Sequence, residues 1–181
     1  QSIPEPNIPL ALMKGQAGIT SSNLFSTASV QAVQGWDESL KSSQEYDLMF
    51  RLWQSGGTFS VDIESRALIR ERPSGQISQR NPREKWVQLV ELRTMMLTAF
   101  LEKDVVDSHE IRLHHQSIFD RLRILAKYDF QEALNMFNEI LKPANFIPLQ
   151  NESNNKVYVV IFQLFGFAWA ERIKRLTSKF T

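Results

Sequence analysis

The residues best suited to chemistry are concentrated in Gly35-Trp36-Asp37-Glu38-Ser39-Leu40, followed by Gln44-Glu45-Tyr46-Asp47-Leu48-Met49-Phe50-Arg51-Leu52. If the second stretch is helical, Glu45, Leu48, Met49 and Leu52 share one face, and a carboxylate stands on an apolar stripe in the first turn. Burial there favours the protonated acid, whereas the helix dipole favours the ionised one. A carboxylate held between these influences could serve as a general base, provided that it reaches the proton to be removed. The same spacing also has a purely structural meaning. Ser42-x-x-Glu45 is a capping box, in which the glutamate closes the helix start, and spacing alone favours that role.

Other candidate chemistry is sparse. His109, His114 and His115 fall on one expected helix, but no two are four apart, so they form no two-ligand metal face. His115 lies on the apolar stripe and reads as a hydrogen-bonded core residue, and His109 sits in the first turn. No Walker-type phosphate loop and no GxSxG elbow occurs. The absence of cysteine excludes a disulfide framework, a thiolate metal site and a cysteine nucleophile. With 181 residues, 43% hydrophobic and 23% charged, the composition is that of a soluble globular chain. The formal net charge of +1 gives no bulk electrostatic case for nucleic acid.

The elements that must position these residues read differently in the two halves. Three prolines in the first nine residues suggest an extended or linker segment. The chain starts at Gln1 without an initiator Met or a signal-like segment, as either a processed secreted protein or a piece cut from a longer chain would. Gln16 to Phe25 suggests a buried strand or tight loop through Ile19, Leu24 and Phe25. Thr27 to Val33 suggests a short helix ended by Gly35, and Ser42 to Gln54 a stronger one closed by Gly56-Gly57. Thr58 to Arg72 alternates as strand through Phe59, Val61 and Ile63, continues through Ala67, Leu68 and Ile69, and stops at Pro73-Ser74-Gly75.

Beyond residue 80 the pattern is helical. Asn81-Pro82-Arg83-Glu84, Asp107-x-x-Glu110 and Asp129-x-x-Glu132 are three helix starts. The helices they open carry apolar stripes and should pack as an antiparallel bundle over 81–145. The remainder, 146–181, is a polar loop and then an apolar run from Val157 to Ala170, interrupted only by Gln163 and Gly166. That run is too short to span a bilayer by itself. The segment 171–181 carries four Lys/Arg against one acid. A buried helix with a solvated basic end is one reading. The other is an interfacial helix on anionic lipid, with Phe162, Phe165, Phe167 and Trp169 dipping into the headgroups.

The run from about Thr20 to Ser78 resembles the acceptor-binding half of bacterial family 2 glycosyltransferases, which have a GT-A fold. In that family a glycine-aromatic-Asp-Glu loop precedes a helix that opens with an acidic or Gln-acid pair, then Tyr/Trp-Asp-Leu and Arg-Leu. Here these are Gly35-Trp36-Asp37-Glu38, Gln44-Glu45-Tyr46-Asp47-Leu48 and Arg51-Leu52. The resemblance implies that Glu45 deprotonates the acceptor hydroxyl, with Gln44 standing where an acid often stands. It implies that Ser22 and Asn23, within Thr20-Ser21-Ser22-Asn23-Leu24-Phe25, line the sugar site and that Trp36 and Asp37 sit at the acceptor edge. Arg72 stands where many members place a histidine near the diphosphate, and an arginine there could neutralise phosphate charge.

The resemblance further implies an α/β fold: a partial GT-A-like mixed sheet with helices over 1–80, followed by the helical extension. It implies a nucleotide-sugar donor, a sugar or lipid-linked sugar acceptor, transfer with inversion, and a part in bacterial cell-surface polysaccharide synthesis. Its location would be cytoplasmic, peripheral on the inner face of the membrane. The donor half, with its acidic motif carrying Mg²⁺ or Mn²⁺, has no counterpart before Gly15. Asp62-Ile63-Glu64 has acid-x-acid spacing but follows Glu45 in the chain and reads as strand surface. The isolated chain is therefore expected to be inactive and to bind no metal itself. The alternative is a non-catalytic helical module that contacts a partner or a membrane surface.

Overall fold

The computed structural model describes residues 7–60, 62, 81–151 and 153–177. Their elements are α1 (Ile8–Lys14), a 3-10 turn (Thr20–Ser22), α2 (Thr27–Ala32), α3 (Gln44–Gln54), α4 (Pro82–Glu102), α5 (Ser108–Tyr128), α6 (Phe130–Ile140) and α7 (Lys156–Thr177). No strand occurs among the described residues. The α/β mixed-sheet expectation is thus corrected: the fold is helical throughout what is described.

One reason is visible over Gln16 to Phe25, where the spacing allows a buried strand or a tight loop and the loop forms. Ile19 and Leu24 are exposed, so no apolar face exists there for a sheet to bury. The Ser22 hydroxyl instead accepts the Ile19 N–H at 3.0 Å and donates to the Ile19 carbonyl at 2.9 Å, curling the chain. Short polar side chains compete with a strand ladder in this way. In the second expected strand, Thr58–Ser60 and Asp62 are coil. The rest of that run, Arg72 and the Pro73-Ser74-Gly75 turn lie outside the described residues.

The chain divides into two compact units, Gln1–Glu110 and Ile111–Thr181. In the amino-terminal unit, α1 packs on α3 and α4, and α2 packs on α3. α1 falls partly where an extended segment was expected. Asn7 accepts the Leu10 N–H at 3.1 Å, Pro9 occupies the first turn, and Gly15 closes the helix. A proline there loses no hydrogen bond, because first-turn N–H groups have no helical partner. Ala11, Leu12 and Met13 of α1 meet a core that includes Leu48, Phe50, Val90, Met96 and Phe100. Trp53 stands edge-on to Phe100, with ring centroids 4.9 Å apart. α4 buries Val90, Leu92, Arg93, Met96, Leu97, Ala99 and Phe100. The Arg93 guanidinium lies over the Tyr46 ring at 5.4 Å.

The helix starts at 107 and 129 form as their spacing predicts. Asp107 accepts the Glu110 N–H at 2.7 Å, and Glu110 accepts the Asp107 N–H at 2.9 Å. Asp129 accepts the Glu132 N–H at 3.0 Å. At α4 the proline takes the first position, but Asn81 makes no capping bond.

The carboxy-terminal unit is built around Phe119, whose ring is within 6.4 Å, centroid to centroid, of Phe137, Phe146, Tyr158, Phe162 and Phe167. Phe162 and Phe167 are therefore core, which corrects half of the aromatic side expected to face lipid. Phe165 and Trp169 remain exposed. The run from Val157 to Ala170 is not continuous helix either. Gly166 adopts φ 78° and ψ −179°, a conformation open essentially only to glycine, and splits α7 in two.

A buried polar network ties α7 to α5. Arg123 donates through Nε to Glu171 at 2.5 Å, and through Nη1 to the Ser153 carbonyl at 2.6 Å and to the Asn154 side-chain oxygen. The Tyr158 hydroxyl donates to Glu171 at 2.8 Å, while the Arg123 guanidinium lies 4.0 Å above the Tyr158 ring. Burial first, and then the Glu171 charge, push the Tyr158 phenol well above its ordinary 10.0. The folded state thus holds the phenol proton more tightly than the unfolded chain. That contribution is present in full below the unfolded value and is lost as the pH rises beyond it. Urea unfolding on both sides of that value should show the wild type losing more stability than Tyr158→Phe. Equal losses in the two proteins would contradict this role for Tyr158.

Candidate functional site

The start of α3 decides between the two roles open to Glu45. The helix begins at Gln44, and its N-cap is Ser43, in the left-handed region at φ 62° and with no side-chain capping bond. Ser42, the expected partner in the capping box, is engaged elsewhere. The Gln88 side-chain oxygen accepts the Lys41 N–H at 3.1 Å, the Ser42 N–H at 3.1 Å and the Ser42 hydroxyl at 3.3 Å. The box therefore does not form. Glu45 is half-buried, and its carboxylate enters no hydrogen bond or ion pair among the described residues. Leu48, Met49 and Leu52 are buried beneath it, as the helical spacing predicts.

Two turns of α3 then hold the preceding loop. Asp47 is buried, and one of its oxygens accepts from Arg51 Nε at 2.8 Å and lies 2.7 Å from Nη2 in the same ion pair. The remaining terminal nitrogen of Arg51 donates to the Val33 carbonyl at 2.5 Å. Val33 is the C-cap of α2, so the guanidinium satisfies a carbonyl that the helix end leaves open. Gly35, at φ 71°, completes the turn by donating its N–H to Val30 at 2.9 Å. A side chain at Gly35 would strain that backbone, which is why glycine follows this short helix.

The other expected site residues divide into groups. Trp36 is 40% exposed and stands edge-on to Phe25 at 6.3 Å, so an aromatic face is open to solvent beside the loop. Asp37 accepts the Ser39 hydroxyl at 2.6 Å and the Ser39 N–H at 2.9 Å. Those two bonds, with a smaller share from the charge of Arg51, hold the Asp37 carboxyl below its ordinary 3.8. The Asn23 amide donates to the Ala17 carbonyl at 3.2 Å and to the Met49 sulfur at 3.6 Å, fastening its loop to α3. The Gln44 amide donates to the Leu40 carbonyl at 2.8 Å. Ser22 is confined to its own turn. Asn23, Gln44 and the Trp36–Asp37 loop are thus gathered on or beside α3, with no hydrogen bond or ion pair joining Glu45 to Trp36, Asp37 or Gln44. Arg72 lies outside the described residues.

Sequence reasoning missed the work of Asp47, Arg51 and Gln88. The i,i+4 spacing of Asp47 and Arg51 is a readable signal for the pair, though not for its reach to Val33. Gln88 lies 46 residues beyond Ser42, and no local pattern announces it. The histidines also differ from expectation. His114, not His115, is fully buried, while His115 is half-buried against Phe146 at 6.3 Å, and burial lowers its pKa. The buried residues of α5 are His114, Gln116, Ile118, Phe119, Leu122, Arg123, Leu125 and Ala126, so the enclosed face is wide enough to take in His114 one turn before Ile118.

The donor set for a divalent ion was tested on the same geometry. Among the described residues no group of three His, Cys, Asp or Glu side chains could hold a metal ion. Asp47 already faces a guanidinium and Asp37 accepts from Ser39, so the described residues do not fit Mg²⁺ or Mn²⁺. No helix among them is long and apolar enough to cross a membrane. In comparisons with known proteins, no family model, curated protein or solved structure matches the chain.

The Asp37 geometry has a direct readout. Ser39→Ala removes the hydroxyl that lowers the Asp37 carboxyl most, so its titration should move up toward 3.8 in carboxyl-detected NMR. An unmoved titration would show that the bond does not persist in solution.

Proposed function

We propose that the α2–α3 segment is the acceptor side of a glycosyltransferase resembling the family 2 enzymes, with Glu45 as its general base. The observation that carries this reading is the loss of the capping box. The one residue with a strong structural alternative has no structural bond to make, and it opens a helix to which Arg51 fastens the Trp36–Asp37 loop. A half-buried, uncommitted carboxylate suits a sugar hydroxyl, whose proton it accepts, and the partly exposed Trp36 ring suits the apolar face of a sugar.

In the intact enzyme, Glu45 takes the proton of the acceptor hydroxyl as that oxygen attacks the anomeric carbon of a nucleotide-sugar. The carbon–phosphate oxygen bond breaks on the opposite face, the nucleoside diphosphate leaves with the electron pair, and the configuration inverts. Trp36 and Asp37 orient the acceptor, Asn23 and Gln44 hold the loops that frame it, and Arg72 meets the diphosphate charge. Cell-surface polysaccharide synthesis remains the process that the resemblance suggests.

A second reading is favoured by the helical architecture and by the exposed apolar side chains of α7: a helical module whose working surface is α7 and not Glu45. The two readings separate in the full-length protein incubated with UDP-, GDP- and dTDP-sugars. Release of nucleoside diphosphate by the wild type should fall about 10²–10⁴-fold in Glu45→Gln, the usual contribution of a general base. Release at the wild-type rate by this variant, or none by the wild type with any donor, removes the catalytic assignment. Gln at 45 keeps the size of the side chain, so a folding defect is not expected to intervene.

A further inference from the structure

We infer that the outward face of α7 docks on an anionic phospholipid surface, whether or not Glu45 acts as a base. Two features of the carboxy-terminal unit carry the inference. The first is apolar area facing water. Leu164 is 69% exposed, Phe165 60% and Trp169 54%, and Val157, Val160 and Leu176 are also exposed. They flank the break at Gly166, with Val157, Val160, Leu164 and Phe165 before it and Trp169 and Leu176 after it, and large side chains of this kind are seldom left exposed together without something to cover them.

The second feature is the sorting of charge along the same helix. Its cations Lys156, Arg172 and Arg175 are exposed, whereas Lys174, also exposed as a residue, donates back to the Ser153 carbonyl at 3.1 Å. Its one acid, Glu171, is turned inward, 4% exposed, and paired with Arg123. The charged side chains that α7 itself exposes are therefore all cations. The cations also sit against aromatic rings: Arg172 lies 5.6 Å from the Trp169 ring and 5.5 Å from Phe130, and Arg175 lies 5.2 Å from Phe130. Guanidinium groups beside partly exposed rings match a lipid headgroup layer, where phosphates meet the charge and rings settle at the interface.

The occupant follows from this combination. A second copy of the chain in a two-fold dimer would set two identical cationic faces against each other, which is repulsive. Nucleic acid would leave Val157, Val160 and Leu164 without stacking partners, since aliphatic side chains offer no ring to a base. A membrane-spanning role is closed to this helix by its length and charge among the described residues. An interfacial amphipathic helix uses both features together, burying the apolar face to the acyl boundary and pairing the cations with anionic headgroups.

The test uses the full chain and vesicles of phosphatidylcholine alone or equimolar with phosphatidylglycerol. Co-sedimentation should show binding to the mixed vesicles, weakened by salt, and little binding to the neutral ones. Arg172→Gln with Arg175→Gln should weaken binding about thirtyfold, the effect of two lost cations at an anionic surface. Leu164→Ser with Phe165→Ser should weaken it at least as much while leaving the helical circular dichroism unchanged, because both side chains point to solvent. Quenching of Trp169 by brominated lipid reports the same contact independently. Equal binding to neutral vesicles, no binding to either, or burial of Trp169 in a concentration-dependent dimer would each overturn the inference.

Discussion

One guanidinium organises the candidate site. Arg51 is pinned by two of its nitrogens to the buried Asp47 on its own helix, and its third reaches back to the Val33 carbonyl at the end of α2. Because the first contact fixes the plane of the guanidinium, the second has a defined direction, which a flexible ammonium would not supply. The loop that carries Trp36 and Asp37 leaves α2 immediately beyond that carbonyl. Its conformation, the start of α3 and the placement of Glu45 all follow from a clamp between two short helices. α2 has no buried residue, so packing alone would not hold it there. Gln88 plays the complementary part from α4, gathering Lys41 and Ser42 and so depriving Glu45 of a capping partner.

The carboxy-terminal unit solves a different problem with similar economy. A buried arginine is costly unless its charge and donors are satisfied. Arg123 satisfies them with Glu171, the Ser153 carbonyl and Asn154, and it covers the Tyr158 ring. This arrangement fixes α7 against α5 and takes the one acid of α7 out of the solvent-facing surface. The aromatic cluster around Phe119 then decides which rings of α7 face inward, and Phe162 and Phe167 are enclosed. The rings and cations left outside give α7 its asymmetric outer face.

Local signals in the sequence were readable where the deciding chemistry is itself local. The reciprocal bonds at Asp107 and Glu110, the cap at Asp129, the stop at Gly35 and the buried Leu48, Met49 and Leu52 follow from spacing. The misread elements each depended on something beyond a short window. Over Gln16 to Phe25 the alternation left strand and tight loop both open, and the loop forms because Ser22 bonds within its own turn and neither Ile19 nor Leu24 finds a core. Three prolines suggested an extended start, yet Pro9 falls where a helix tolerates it and Asn7 supplies the cap. The Ser42–Glu45 box was displaced by a glutamine 46 residues away. Gly166 reads from the sequence only as an interruption of an apolar run, whereas its backbone breaks the helix. As for the candidate site, the sequence placed Glu45 on the correct helix face but could not show that its carboxylate is uncommitted.

The most direct measurement on the clamp is amide hydrogen exchange across residues 33–42 in the wild type and in Arg51→Gln. Glutamine cannot span Asp47 and Val33 together, so exchange at Gly35 and Leu40 should accelerate about tenfold or more, while the amides of α3 keep their protection. Unchanged exchange at Gly35 and Leu40 would mean that the loop holds its shape without Arg51, and the account of how Glu45 and the Trp36–Asp37 loop are positioned together would fail.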